Sequence, residues 1–513
     1  MKNFIASIVI GLLALEARAA LPQPDLIARI HFAGAQKISG DPQVHAFTNE
    51  FTSAEALVLR AQTATKLANW LAGWLQTNLD TTVPDGAAKL RPLFDDLQQA
   101  EFFVDARAAA GGKPEVAIAI QLAPARAELW QAGLKPFFPA ATFKTANDWL
   151  IFDSLPGPLG DRLAQKISTP PAAWLDLDIN WPRLAQWYPV LKELGLPETQ
   201  FTLTAPDDNF HLDGKFLFPE NLALNLEPWR VPTNTVHQPF DSFTAIRGFS
   251  SWLPAQPWAW MQSLELTPTP NQLFIWSLPG PPFQTFAAIP VPDATHALAQ
   301  VYAKLAQYCD AANARNEFFQ TTTPTLTNRE INFSGTPFIS PHLRAVTEPS
   351  GQFLLGELFP NTPKSRPLPP ELFSRLAANN LVYYHWEITA TRLPELLQLT
   401  QLGLMLTHHK QLEGESAAFK WLQRAGGNLT APPMSAGGAA KPGAWGNTRT
   451  EILQTGPAEF TFTRQAPGIL TASELFELAD WLEATNFPGC DLRLPARSPH
   501  FKQMHAIPTP PGH

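Results

Sequence analysis

The spacing of apolar residues changes period several times along the chain, and each change predicts an element. Leu26 to Phe32 is a short run read as a strand. Beyond Ala54 the period becomes helical, with Leu57, Leu67, Leu71 and Leu75 on a stripe that also carries Trp70 and Trp74. That helix should reach about Gln76, and Thr52-Ser53-Ala54-Glu55 reads as its capping box. A second helix follows near Leu90 to Gln99. Residues 101–109 and 115–122 then alternate with period two around Gly111-Gly112, which predicts a hairpin. Pro124 opens a helix at its first turn. Strands are expected near 149–153, 174–180, 200–204 and 210–218, with helices near 159–167 and from Pro182 to about Leu194.

A similar order returns in the second half. Residues 273–278 and 285–289 read as a hairpin, Asp293 caps a helix reaching about Ala314, and 352–358 is a strand. A short helix at 370–377, a strand at 381–388 and a helix at 392–406 follow. Two late strands near 451–454 and 459–464 precede a helix opened by a second capping box, Thr471-Ala472-Ser473-Glu474. Residue matches accompany the repeated order. The segment Trp174 to Leu184 aligns without gaps to Tyr383 to Leu393, Thr199 to Pro206 matches Thr450 to Pro457, and Phe210 corresponds to Phe460. The expected fold is α+β: two pseudo-repeated lobes, each a mainly antiparallel sheet with helices packed on one face.

The boundaries follow from composition. Residues 1–19 read as a signal peptide: Lys2 is the charged start, Phe4 to Leu15 the apolar run, and Ala17-Arg18-Ala19 the cleavage site. The run falls short of the roughly 20 residues that span a bilayer. Residues 20–227 form the N-terminal lobe, 228–243 a proline-rich connector, 244–490 the C-terminal lobe with a Gly/Ala/Pro-rich flexible loop at 431–447, and 491–513 a tail. No integral membrane segment is expected in the mature chain. The protein is therefore expected to be exported, to the periplasm or the cell exterior.

Composition narrows the function classes. The formal net charge is −8, and loss of the signal removes two cations and one anion, leaving a still more acidic body. Its Lys and Arg are scattered, so no nucleic-acid partner is expected. Two cysteines, Cys309 and Cys490, cannot staple a chain of this size, so apolar burial must build the core. They either pair across a long loop or remain separate thiols. The 51 prolines imply many short elements. The 16 tryptophans are read as packing residues rather than sugar platforms.

The opening Leu26-Ile27-Ala28-Arg29-Ile30-His31-Phe32-Ala33-Gly34 and the strand-turn-strand of 101–122 resemble uncharacterised large exported proteins of planctomycete- and verrucomicrobial-type bacteria. The resemblance covers about the first third of the chain. It implies export and brings no activity.

Chemistry is sparse. Asp176 and Asp178 stand at i and i+2 of a strand, so both carboxylates share a face. Their counterparts in the gapless alignment are His385 and Glu387. Together the four supply acids and a base, either for hydrolysis in a cleft between lobes or simply as the solvated face of a sheet. His408-His409 diverge on a helix and lack the spacing of zinc ligands. Asp207-Asp208-Asn209 lacks the calcium-loop order and reads as a polar turn. Gly111-Gly112-Lys113 is not a phosphate loop, and Gly414-Glu415-Ser416 is not a nucleophile elbow. Ser340-Pro341-His342 and Ser498-Pro499-His500 repeat a tripeptide and read as turns. No cofactor or metal is implied. The expected function is non-enzymatic binding or scaffolding in the envelope or periplasm, with an envelope protein or glycan as partner. The alternative is a hydrolase or glycan-active enzyme with an interlobe cleft.

Overall fold

The computed structural model describes residues 26–489 apart from 42–47, 49, 80–81, 109–113, 169–171, 188–190, 193–194, 208, 237–239, 252–264, 280–283, 315–323, 328, 334–339, 359–369, 408–415 and 428–445. The expected signal peptide, the tail, Cys490, residues 431–445 of the expected loop, His408-His409 and Ser498-Pro499-His500 lie outside the described residues.

Among the described residues, eighteen strands form one sheet. They are β1 (Leu26–Phe32), β2 (Phe102–Ala108), β3 (Pro114–Gln121), β4 (Thr142–Ala146), β5 (Trp149–Asp153), β6 (Leu175–Ile179), β7 (Glu198–Thr204), β8 (Phe210–Leu217) and β9 (Ser242–Arg247). The second half adds β10 (Gln272–Leu278), β11 (Gln284–Val291), β12 (Thr325–Leu326), β13 (Glu330–Asn332), β14 (His342–Glu348), β15 (Gly351–Glu357), β16 (Leu381–Ile388), β17 (Asn447–Gln454) and β18 (Glu459–Ala466). Every pairing is antiparallel. From one edge to the other the strands run β4, β5, β3, β2, β1, β6, β7, β8, β18, β17, β16, β9, β10, β11, β15, β14, β13 and β12.

The helices are α1 (Ala35–Ser39), α2 (Ala54–Leu79), α3 (Gly86–Gln99), α4 (Pro124–Leu134), α5 (Pro158–Lys166), α6 (Trp181–Trp187), α7 (Ala294–Ala314), α8 (Pro370–Leu376), α9 (Thr389–Thr407), α10 (Ala417–Gly427) and α11 (Ala472–Glu483). Local chemistry sets their starts. In α11 the expected capping box forms in both directions between Thr471 and Glu474. Asp293 accepts from the N–H groups of Thr295 and His296 at the start of α7. At α2 the cap is Ser53, which accepts from Ala56 N, while Thr52 donates back to Thr48. The expected box between Thr52 and Glu55 does not form, because with Ser53 as the cap the third helical residue is Ala56, whose methyl side chain cannot reach back.

The fold is α+β with a mainly antiparallel sheet, as the alternating strands predicted. The helices, however, are not confined to one face. One face carries the largest core, with Ile30, Val104, Ile118, Leu177, Leu203 and Leu212 under α2, α3, α4, α10 and α11. Farther along, the same face meets α7 through Leu273, Ile289 and Leu354. The opposite face buries Phe103, Ala117, Ala119 and Ile151 under α5. Near the other end that face buries Phe243, Phe274, Trp276 and Phe353, with Leu372 and Leu376 of α8. The reason is visible in β2, which is buried at every position and so needs cover on both sides.

The largest core also crosses the expected lobe boundary. Leu393, Leu397, Trp421, Leu422, Leu475 and Leu482 from the C-terminal part pack with residues of the first 212. Within the expected connector, Val231, Val236 and Phe240 are buried in the second half's core, and its last two residues already belong to β9.

Candidate functional site

Strand register decides whether the four candidate side chains meet. Directly opposed residues in an antiparallel pair project to the same face. From Asp176 the row runs through Thr202, Asp213, Thr463 and Glu451 to Tyr384. Tyr384 therefore shares a face with Asp176, and its neighbours His385 and Glu387 lie on the other. The structure brings Asp176 together with Asp178, and His385 together with Glu387, but the sheet separates the two pairs. The expected cleft lined by all four is thereby corrected. The gapless match of 174–184 to 383–393 is out of phase by one residue, and a one-residue slip reverses every side chain.

Each pair has local partners. His31 is buried and directly opposes Asp176, with Nδ1 3.8 Å from its carboxylate and Nε2 3.0 Å from Glu101 Oε1. Burial works against the imidazolium, but the charge of the nearby Asp176 carboxylate and the hydrogen bond to Glu101 outweigh it and raise the His31 pKa. The same contact holds the Asp176 carboxyl below its ordinary value, helped by Thr202 Oγ1 at 2.9 Å. Burial pushes Asp178 up, and Arg29 opposes that shift.

On the other face His385 Nδ1 meets Thr244 Oγ1 at 2.8 Å, and its Nε2 lies 3.4 Å from Glu387 Oε2. Glu387 accepts from Thr389 Oγ1 at 2.7 Å and from Ala472 N at 2.8 Å. Burial opposes its charge, yet the nearby His385 imidazole and these bonds leave its carboxyl below the usual range. Glu387 thus ties β16 to the first turn of α11, where a carboxylate also suits the helix dipole.

Buried charge that sequence reasoning missed lies beneath α5. Arg107 opposes Glu115 across the β2–β3 hairpin and donates to Oε2 from Nε and Nη2, both at 2.9 Å. Lys166 at the end of α5 donates to both oxygens of buried Asp105 at 2.8 Å. Asp153 accepts from Gly160 N, and burial followed by the nearby Glu115 charge raises its pKa to about 6. In the second half Ser277 donates to buried Asp241 at 2.5 Å and contacts Ser242 at 2.5 Å. Alternation marked Asp105, Arg107 and Glu115 as polar, but it could not show that α5 covers them.

Two features remain open to solvent. The first is a polar band across β6, β7, β8, β18 and β17, on the face of Asp176. Gln200, Thr202, Asp213, Lys215, Thr461, Thr463 and Gln465 are half-buried or exposed there. Glu451, buried in the band, is held by Arg375 Nε at 2.7 Å and Arg449 Nε at 2.9 Å. A cavity of about 250 Å³ opens beside them, lined by His211, Asp213, Arg375, Arg449 and Thr463 among others.

The second feature lies at the far end of the same face. Ser340 Oγ stands 3.4 Å from His342 Nε2, and His342 Nδ1 lies 2.5 Å from Glu330 Oε1. The expected turn at 340–342 is instead the entry to β14, whose first residue is His342. Ser340 precedes the strand, and Glu330 comes from β13, so hairpin register completes the chain of contacts.

Of the other motifs, Gly111-Gly112-Lys113, Asp208 and Gly414-Glu415 lie outside the described residues. Asn209 N donates to Asp207 Oδ1 at 2.8 Å, forming a polar turn. Ser416 accepts from Phe419 N before α10. Cys309 is a buried free thiol. Among the described residues no group of three or more His, Cys, Asp or Glu is placed to hold a metal ion. Among them, too, no helix is long and apolar enough to cross a membrane. Comparison with protein-family models, with curated proteins and with solved structures finds no match.

Proposed function

We propose that this is an exported protein, periplasmic or extracellular, that acts by binding or scaffolding an envelope protein or glycan along its polar band. The band carries the reading. Its hydroxyls, carboxylates, amides and guanidinium groups stand on adjacent strands of a rigid sheet, where preorganisation lowers the entropy cost of recognition. Asp176 and Glu451 are already held by His31 and by two arginines, so they fix the shape of the band and the reading gives them no catalytic role.

We also infer that the chain arose by duplication into two pseudo-repeated halves. Strand order supports this. From one edge the first half reads β4, β5, β3, β2, β1, β6, β7, β8; inward from β14, which the extra strands β13 and β12 flank at the other edge, the second half reads β14, β15, β11, β10, β9, β16, β17, β18. The band lies where the two halves join through β8 and β18.

Two measurements test the reading. Mature protein recovered from the periplasm or medium should begin at Ala20; recovery only in the cytoplasm with an intact N-terminus defeats the export claim. Binding to isolated envelope glycan and protein fractions should weaken at least tenfold in a Thr202→Arg/Thr463→Arg variant whose melting curve is unchanged. Equal binding by the variant, or none by the parent, removes the band as the recognition surface.

A further inference from the structure

We propose that Ser340, His342 and Glu330 form a hydrolytic centre for carboxylic esters, separate from the polar band. The argument begins with the direction of the contacts. Glu330 can only accept, so His342 Nδ1 carries the proton that bridges the 2.5 Å gap to Oε1. This tautomer leaves the Nε2 lone pair free. Ser340 Oγ, 3.4 Å away, is the donor that faces it. Acid, imidazole and hydroxyl therefore stand in the order that activates a serine, and a loose Ser–His contact is usual before substrate binds.

The surroundings suit the same chemistry. His342 and Arg344 are two residues apart on β14 and share a face, and Arg344 directly opposes Glu330. The Arg344 guanidinium forms an ion pair with Glu357, its Nε 2.9 Å from Oε1, and neither its buried Nε nor its buried Nη2 has a hydrogen-bond partner among the described residues. Such a donor is suited to a developing oxyanion. Glu330 and Arg344 also line an open cleft of about 630 Å³ together with Arg329, and Ser340 and His342 stand outside that lining. Ser340 is partly exposed, so the nucleophile is reachable.

The steps balance. Ser340 Oγ bonds to the ester carbonyl carbon as its proton passes to His342 Nε2, and the carbonyl π electrons move onto oxygen beside Arg344. Collapse re-forms the C=O and breaks the bond to the leaving alkoxide, which takes the proton from Nε2 and departs as an alcohol. Water then adds to the acyl-serine, giving a proton to Nε2. Cleavage of the acyl–Oγ bond releases the carboxylic acid, and Oγ recovers the proton. Glu330 is a positioning residue that fixes the tautomer and steadies the imidazolium.

A fluorophosphonate probe and 4-nitrophenyl acetate test the proposal on the full chain. Peptide mapping of the labelled parent protein should place the phosphonyl group on Ser340. Ser340→Ala and His342→Gln should lose labelling and lower ester hydrolysis at least a hundredfold. Glu330→Gln should lower kcat at least tenfold with little change in KM, and Glu330→Asp should restore part of that loss. Absence of labelling, labelling on a different serine, or full hydrolysis by Ser340→Ala overturns the assignment. Mapping on the parent decides the matter even if a variant fails to fold.

Discussion

At the scale of single residues, the buried charges under α5 control how stability responds to pH. Asp153 has its pKa raised to about 6 by burial and by Glu115, whereas the unfolded chain releases that proton near 3.8. A raised carboxyl pKa means that the folded protein binds the proton more tightly, so its contribution falls as pH rises from about 4 to 6 and the cost is complete above 6. A shift of about two units corresponds to at most about 3 kcal/mol. His31 acts in the same direction: its raised pKa adds stability that is present below 6.5 and is lost as pH climbs through the folded value. Asp153→Asn keeps an acceptor for Gly160 N and removes the titration. Urea unfolding of the variant should therefore gain up to about 3 kcal/mol on the parent between pH 4 and pH 7.5. An unchanged difference across that range would show that Asp153 titrates normally.

Among the elements, α5 shows what pattern reading reaches and where it stops. Its span was legible, because Pro158 can open a helix and Leu159 and Leu163 recur at helical spacing. Its place on the face opposite α2 was not, because that depends on which strands need cover. Lys166 makes the point testable. Its ammonium holds both oxygens of Asp105, which is only 2% exposed, while Arg29 contributes a longer contact at 3.5 Å. Lys166→Met should cost about 2–3 kcal/mol in denaturant unfolding, since it leaves a buried carboxylate with only the weaker partner. Adding Asp105→Asn should recover most of that loss, and simple additivity of the two changes would refute the coupling. Gly157 is a second marker of this packing, because a Cβ there would collide with the Glu115 carboxylate. The capping box of α11 was legible for the opposite reason: both partners lie within four residues. β4 and β9 were missed because the first is a short polar edge and the second hides polar Ser242 and Thr244 among buried neighbours. The Ser340–His342 spacing could be read directly, but Glu330 joins only through the β13–β14 register.

For the whole molecule, the decisive property is that the sheet and its largest core do not divide where the chain seems to. Local periodicity supplied most strands and helices. It could not supply the β8–β18 pairing, which joins residues about 250 positions apart, or the packing of α10 and α11 with α2. Phe201, Phe216 and Phe462 meet edge-on at that junction, and Gly214 is pressed against the Phe201 ring, so the contact between halves is closely packed. A fragment of residues 20–227 would keep the strands of the first half. It would expose the surface now buried by Leu393, Trp421, Leu422, Leu475 and Leu482, and it would leave β8 as an uncovered edge. Exposed apolar surface and an open edge both favour association over folding. The fragment should therefore lack a cooperative melting transition and self-associate in sedimentation, while the full chain unfolds with Trp fluorescence and far-UV dichroism in step. A monomeric fragment that melts cooperatively near the full-chain temperature would establish the two halves as independent lobes, despite the shared core.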